Sequence, residues 1–488
     1  MMKQDSIPTA SLKRKLFLIG AVLLYSVMVF LAIHLDHFYL RIAVVGIPVL
    51  IVTVYFALFH PKFYGYLLAV ALPFSVNLED IGMGVGVSLP GEVLAAVMAI
   101  VVLINLFTGR YISKKVLKHP VTIALLINLG WMTISALLST MPVVSAKYML
   151  IRILFILVFY FFLLQFMGNT KDIQRFLWLF GLSMTFVIIY ALLRHQQFQF
   201  IQQVNAYVVK PFFKDHTIYG ATIAMLFPFF AGFLLIPGKK RVLSTWWSLL
   251  IIPFLIAGMI FSYSRAVWLS VAVAVIATLF LLFRIRFMHI VFLLAIVVGI
   301  GLYHRDAIEF RIKNVESQRG SDIKEHATSI ANLNTSASNL ERINRWEAGL
   351  DMFKKKPIVG YGPGTYPFQY APFQNEELMT RISTYAGDKG GVHSEYLKPL
   401  SESGLPGFLS FLAVIIFTVT RGMSLAYHAD KRRVRMLAAL LLLGLTTYYV
   451  HGFFNFFLHT DKVAALFWGM TAFIVALDMK YKRQSNKT

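Results

Sequence analysis

An all-α, polytopic membrane protein is the fold class this sequence predicts, and three observations predict it. Of its 488 residues, 58% are hydrophobic and only 14% are charged, whereas soluble domains run at about half apolar and about a quarter charged. Mean hydropathy is +0.68. The apolar residues also gather in about fourteen runs, most of them close to the roughly 20 residues that cross a bilayer as a helix.

In chain order the runs are 16–35, 42–59, 64–77, 90–108, 121–139, 147–166, 175–193, 218–236, 246–263, 266–283, 287–303, 405–420, 436–455 and 463–479. The run 64–77 is short and suits a re-entrant segment. The first run follows LKRK, as in a signal peptide. It is too long for one and lacks a small-residue cleavage site, so an uncleaved span is expected. The architecture is therefore about 12–14 transmembrane helices, with one large, partly helical loop between the eleventh and twelfth spans.

Charge placement sets the topology. Basic residues cluster in the N-terminal KRK, the loops GRYISKKVLKH, PGKKR and HADKRRVR, the RIR turn and the KYKR tail. These fall on one side under a single alternation, with both termini cytoplasmic; the opposite loops, such as NLEDIGMGVGVSLPGE, are poor in Lys and Arg. The long polar stretch Arg305–Glu402 then lies outside. It holds 13 Lys+Arg and 13 Asp+Glu, so the whole net charge of +23 lies elsewhere in the chain. That distribution matches cytoplasmic loops on anionic lipid and excludes a nucleic-acid patch. Cysteine is absent, which excludes disulfides, thiolate catalysis and cysteine-held metal. Three regions follow: a transmembrane bundle over 1–303, an extracytoplasmic loop subdomain over 304–402, and C-terminal helices with a cytoplasmic tail over 403–488.

Within the loop, SIANLNTSASNLER reads as a polar loop leading into a helix over Asn339–Met352, with Leu340, Ile343, Leu350 and Met352 on its apolar positions. KKKP closes it, because proline restricts the preceding residue. GYGPG is a turn, and Glu395–Ser403 is a short amphipathic helix.

Several residues suit chemistry. Arg265, in FSYSRAVW, sits at a span edge, where it is either an interfacial anchor or a phosphate ligand. Arg342 and Arg345 are three apart in ERINRWEAGLDMF and share a helix face. Glu341 and Glu347 are there to neutralise them, and a solvated, salt-bridged face is the simpler account taken alone. Gly362 and Gly364 belong to a glycine-rich turn that lacks the Gly-Lys-Ser/Thr ending of a P-loop. His393 follows Gly390 and Gly391, and its imidazole suits a base or hydrogen-bonding role near neutral pH as well as a structural one. Arg152, inside a span, is the most expensive residue to bury and keeps a membrane transporter open as an alternative. Arg194, Lys210, Lys214, Asp215 and His216 lie near the outer face, as do His451, Asn455 and His459. No metal or other cofactor is expected.

In order, FSYSRAVWLS, ERINRWEAGLDMFKKKPIVGYGPGTY and HSEYLKPLSESGLPGF resemble the O-antigen ligase and polymerase superfamily. Its motifs are Ser-Arg at a span edge, Arg-x-x-x-Trp, a Pro-x-x-Gly-x-Gly-x-Gly turn, and His-Asn/Ser-x-x-Leu followed by Glu-x-Gly. Here they fall on Ser264–Arg265, Arg342–Trp346, Pro357–Gly364 and His393–Gly404, about 140 residues in all. The resemblance implies a lipopolysaccharide-biosynthesis enzyme of the bacterial inner membrane. It would transfer a glycan from an undecaprenyl-diphosphate donor on the periplasmic face. The acceptor would be lipid A–core for a ligase, another lipid-linked glycan for a polymerase, or a protein hydroxyl for an O-oligosaccharyltransferase. It further implies that Arg265 and Arg342 stabilise the leaving diphosphate and that His393 orients or deprotonates the acceptor hydroxyl, with inversion. Arg345, Arg152, His216, Gly362, Gly364 and Glu395 are secondary substrate contacts, Glu395 doubling as a reserve base. Ser394 and Glu402 are expected to be structural.

Overall fold

The computed structural model describes residues 38–79, 86–107, 113–233, 245–304, 326–380 and 390–481, with Ser383 and a few isolated positions before residue 38. The expected first span, 16–35, lies partly outside the described residues; those described within it, 20, 23, 25–32 and 34, are helical. The chain divides into two units, Met1–Tyr64 and Gly65–Thr488.

The helices are α1 (Phe38–Phe59), α2 (Pro61–Ala71), α3 (Gly91–Phe107), α4 (Pro120–Leu137), α5 (Pro142–Phe166), α6 (Thr170–Gln196), α7 (His216–Phe233), α8 (Thr245–Ile260), α9 (Arg265–Leu282), α10 (Phe287–Tyr303), α11 (His326–Lys355), α12 (Leu397–His428), α13 (Arg432–His451) and α14 (Asp461–Tyr481). Among the described residues, α4, α5, α6, α9, α12, α13 and α14 are long and apolar enough to cross a membrane. The short run 64–77, expected to suit a re-entrant segment, is the 11-residue α2 followed by an antiparallel pair, Val76–Asn77 with Ser88–Leu89. At 1.5 Å per residue α2 reaches only about 16 Å, too short to cross.

Helix α14 is the core of the larger unit, with 94% of its apolar window buried. Small residues let neighbours close on it: Gly469 faces Leu163, and Gly168 faces Ala476. Helix α5 packs on it through a π-helical stretch, Ile156–Phe162, whose seven residues are all buried. In contrast α9 is only 17% buried and exposes Trp268, Leu269, Val275 and Ile276, a lipid-compatible face.

The helices alternate in direction, so the turns collect at two ends. At one end His119 Nε2 lies 3.1 Å from Asp478 Oδ2, and the Tyr427 hydroxyl donates to the Phe280 and Ile285 carbonyls. At the other, here the loop end, segments 138–141, 197–215, 261–264, 356–365, 390–396 and 452–460 meet. Thr140 N donates to Tyr361 O, Tyr263 Oη to Phe200 O, and Glu395 N to Gly452 O.

Two expected boundaries change. Helix α11 begins at His326, three residues before SIANLNTSASNLER, the stretch read as a polar loop, and Ala327, Ala331, Leu333 and Ala337 raise helix propensity there. Of its expected apolar positions, Leu340 and Met352 are buried, Ile343 is half-buried and Leu350 is exposed. The helix expected over Glu395–Ser403 starts at Leu397 and runs into the following span, bent at Gly404.

That bend is built by the glycine turn. Tyr361 N donates to Ser401 O, Gly362 N to Glu402 O, and Leu405 N to Pro357 O. Glu402 Oε2 and Oε1 accept from Gly364 N (2.8 Å) and Tyr366 N (3.2 Å). Gly404 takes φ 68° and ψ −170°, and a Cβ there would sit 2.0 Å from Ile358 O. Gly404→Ala should therefore cost on the order of 3 kcal/mol, read as an earlier thermal transition in detergent. Gly130→Ala on α4, where a Cβ meets nothing within 4 Å, should leave that transition unchanged or raise it.

Candidate functional site

Helix α9 starts at Arg265, behind the N-cap residue Ser264. A cation in the first turn faces the positive end of the helix dipole, where anions are favoured. Across from it stands Arg342 on α11. Arg342 is half-buried, and its Nε is buried without a hydrogen-bond partner among the described residues. Burial and the field of Arg265 both pull the Arg342 guanidinium below its ordinary value, with Asp215 opposing. Two guanidiniums thus share one space, an arrangement suited to an anion with charge spread over several oxygens.

Asp215 is the carboxylate whose field reaches this group. Its Oδ1 accepts from Thr217 N (2.6 Å) and the Thr217 hydroxyl (2.9 Å), and His216 Nδ1 lies 3.1 Å away. Burial alone would raise its carboxyl; the His216 imidazole and the Thr217 donors outweigh that and hold it well below the usual carboxylate range. His216, expected as a substrate contact, lies beside Asp215.

His393 joins the same group. Burial first, then the charges of Arg345 and Arg342, push its imidazole down to about 3, against a smaller opposite pull from Asp215. It is neutral at physiological pH, able to accept a proton or hydrogen bond at one ring nitrogen and donate at the other. Its backbone is in the left-handed region at φ 50°, costly for a residue with a side chain. Trp346 Nε1 donates to His393 O at 3.3 Å and helps to hold that conformation. Ser394 Oγ accepts from the amides of Tyr396 and Leu397, opening α12. Gly390 and Gly391 have no left-handed φ to accommodate. A Cβ on Gly390 would fall 1.8 Å from Arg345 Nη1, and one on Gly391 1.9 Å from the Phe456 ring. They permit close approach. His451, at the end of α13, adjoins the Ala266 backbone beside Arg265.

Other expected contacts have different employment. Arg345 is buried. Its Nε lies 2.5 Å from Glu341 Oε1, its Nη1 donates to Gly391 O, and its guanidinium lies over Tyr370. It positions the turn before His393. The amides of Gly362 and Gly364 are taken by Glu402, and a Cβ on Gly362 would fall 2.0 Å from Ser139 Oγ; that turn is filled by the protein itself. Glu395 Oε2 accepts from the Tyr448 hydroxyl, Phe457 N and Leu458 N, so this carboxylate fastens the 452–460 turn.

Arg152 is not in the Arg265–Arg342 group. It is buried over the Trp468 ring (4.7 Å) and lines a narrow cavity with Tyr148, Glu395, Lys398 and Glu402. The sequence analysis passed over Lys398. Its spacing from Glu395 and Glu402, at i, i+3 and i+7, places all three on one helix face.

Residues 249–412 match the family model described as O-antigen ligase. That segment contains Arg265, Arg342 and His393. An uncharacterised protein of Haemophilus influenzae is 26% identical over 180 residues, covering 36% of this chain and 43% of that protein. The match therefore spans under half of that relative's length. The similarity to the O-antigen ligase family thus covers residues 249–412 of the 488-residue chain.

Proposed function

We propose that this protein is a glycosyltransferase that moves a glycan from an undecaprenyl-diphosphate donor to a periplasmic acceptor, working as an O-antigen ligase with lipid A–core as that acceptor. It lies in the bacterial inner membrane with both termini cytoplasmic, and its loop end faces the periplasm. The observation that carries this reading is Arg342, its Nε buried and partnerless in the field of Arg265. A buried guanidinium nitrogen without a partner among the described residues is costly unless an anion completes it, and a lipid diphosphate is the anion released by the family's reaction.

In the proposed step the acceptor hydroxyl oxygen attacks the anomeric carbon while the bond from that carbon to the diphosphate oxygen breaks. Charge develops on the departing diphosphate. Arg265 and Arg342 oppose it without a metal, a contribution that grows toward the transition state. His393, neutral and fixed in direction, accepts the hydrogen bond of the attacking hydroxyl and takes its proton as the new bond forms. A single displacement inverts the anomeric centre.

Arg265→Ala, Arg342→Ala and His393→Ala should each lower transfer about 100-fold or more, measured with purified protein and lipid-linked donor, while membrane insertion is retained. Wild-type rates in all three would overturn the reading. A deletion strain should accumulate long, unattached glycan. Single repeats on core would indicate a polymerase, and an unmodified glycoprotein the protein-glycosylating branch.

The pH dependence follows from His393. Its folded-state value lies below the unfolded value of about 6.5, so the neutral form predominates in the folded protein as pH falls. Its contribution to stability is present above about 6.5 and is lost as pH drops toward 3. Transfer should therefore show no inflection near pH 6.5; a midpoint there that vanishes in His393→Gln would contradict the assignment.

A further inference from the structure

A second concentration of positive charge lies apart from the Arg265–Arg342 pair. Its cavity is lined by residues of α4, α5 and the first turns of α12, among them Asn128, Tyr148, Arg152, Lys398 and Phe411. Arg152 is 6% exposed and its Nε has no hydrogen-bond partner. Its nearest acceptor is Leu458 O, 3.5 Å from Nη1. Lys398 is 8% exposed, and its Nζ lies 4.5 Å from the Tyr148 ring centroid and 4.6 Å from that of Phe456. Neither cation forms an ion pair among the described residues.

Two carboxylates share the lining, and both are also held by donors of the fold. Glu395 Oε2 receives the Tyr448 hydroxyl and two backbone amides, and the two oxygens of Glu402 receive the amides of Gly364 and Tyr366. Backbone donors fix both acids in place, and their fields, together with the Tyr148 hydroxyl, reach Lys398, while the Arg152 Nε is left without a hydrogen-bond partner among the described residues. The surplus is felt next door, where burial first, then Lys398, Lys214 and Arg152, push the His459 imidazole down to about 3. Buried cations held this way, with room for water-sized occupants, make a site for oxygens of an anionic group.

The cavity also adjoins the proposed reaction centre. The ring of Phe456 touches both sides: Lys398 sits over it, while the His393 ring centroid is 6.5 Å from it. We propose that Arg152 and Lys398 form a second anion subsite that holds a phosphate or carboxylate group beside the sugar being joined at His393. This rests on the glycosyltransferase reading for its substrate, and it narrows that substrate to one bearing an anionic group close to the reacting hydroxyl.

The test is binding, so it is read separately from transfer. The full chain carrying Arg265→Gln and Arg342→Gln lacks the first anion pair. In detergent its thermal transition should still rise with millimolar inorganic phosphate, relative to sodium chloride at equal ionic strength. Adding Lys398→Met should remove that rise, and Lys398→Arg should keep it. If Lys398→Met gives no cooperative transition, Arg152→Gln provides the same comparison. The proposal is overturned if the rise is already lost in the Arg265→Gln/Arg342→Gln protein. It is equally overturned if the rise survives Lys398→Met or Arg152→Gln, or is matched by chloride. Vesicles distinguish the source of the anion. A Lys398-dependent rise with phosphate in phosphatidylcholine alone supports a group carried by the substrate. A Lys398-dependent rise given by added phosphatidylglycerol without phosphate supports a lipid headgroup. Absence of transfer by the wild-type chain, with phosphate binding retained, would count against the enzyme reading and leave the subsite standing.

Discussion

Arg342 is held near Arg265 with its Nε stripped both of water and of any hydrogen-bond partner among the described residues. Like charges in a partly desolvated space repel more strongly than they would in water, so the scaffold around them has to be stiffer than the repulsion. That stiffness is visible one helical turn away. Arg345 is clamped by Glu341 and by Gly391 O, and the Tyr366 hydroxyl donates to Arg345 O at 2.6 Å. Beneath, Ala348, Met352, Tyr361, Tyr366, Tyr370 and Val392 form one buried apolar cluster. Helix α11 is thereby fixed in rotation, and Arg342 cannot turn away to water without breaking that packing.

The same logic governs the acids. Near the centre, Glu341 neutralises Arg345, Glu395 fastens the 452–460 turn, and Glu402 gathers the glycine turn. Each of these carboxylates is also committed to structure, so none of the three forms a direct ion pair with Arg342, Arg152 or Lys398 among the described residues, although the fields of Glu395 and Glu402 reach Lys398. Asp215 is the exception, and its oxygen is tied to Thr217 and His216 rather than to an arginine.

Much of this fold was legible in the sequence because the bilayer imposes a length and the positive-inside rule a sign. The expected runs at 121–139, 175–193, 266–283 and 287–303 fall within a few residues of α4, α6, α9 and α10. Harder to read were segments whose conformation depends on a partner. The shortness of the run 64–77 suggests a re-entrant segment, but its pairing at Val76–Asn77 with Ser88–Leu89 is not readable locally. The roles of Gly390 and Gly391 are invisible to local pattern, because what they avoid is a guanidinium 45 positions upstream and a phenyl ring 65 positions downstream. Arg265, Arg342 and His393 were nameable from motif order. Lys398 was not singled out, although its spacing from Glu395 and Glu402 was readable; only tertiary packing reveals that those two acids are engaged elsewhere.

The position of His393 follows from these constraints. Its left-handed backbone is tolerated because Trp346 holds its carbonyl, while the close approach that Gly390 and Gly391 allow brings Arg345 and Phe456 around it. Surrounded by cations and desolvated, the ring stays neutral, the state in which it has a lone pair to present to a hydroxyl. A histidine paired with a carboxylate would be a stronger base but would also draw its own charge into a region meant for an anion. On the proposed reading the weak base suffices, because the two arginines lower the charge cost of departure and the proton moves only as the new bond forms. Basicity is traded for a site whose net potential favours the leaving group.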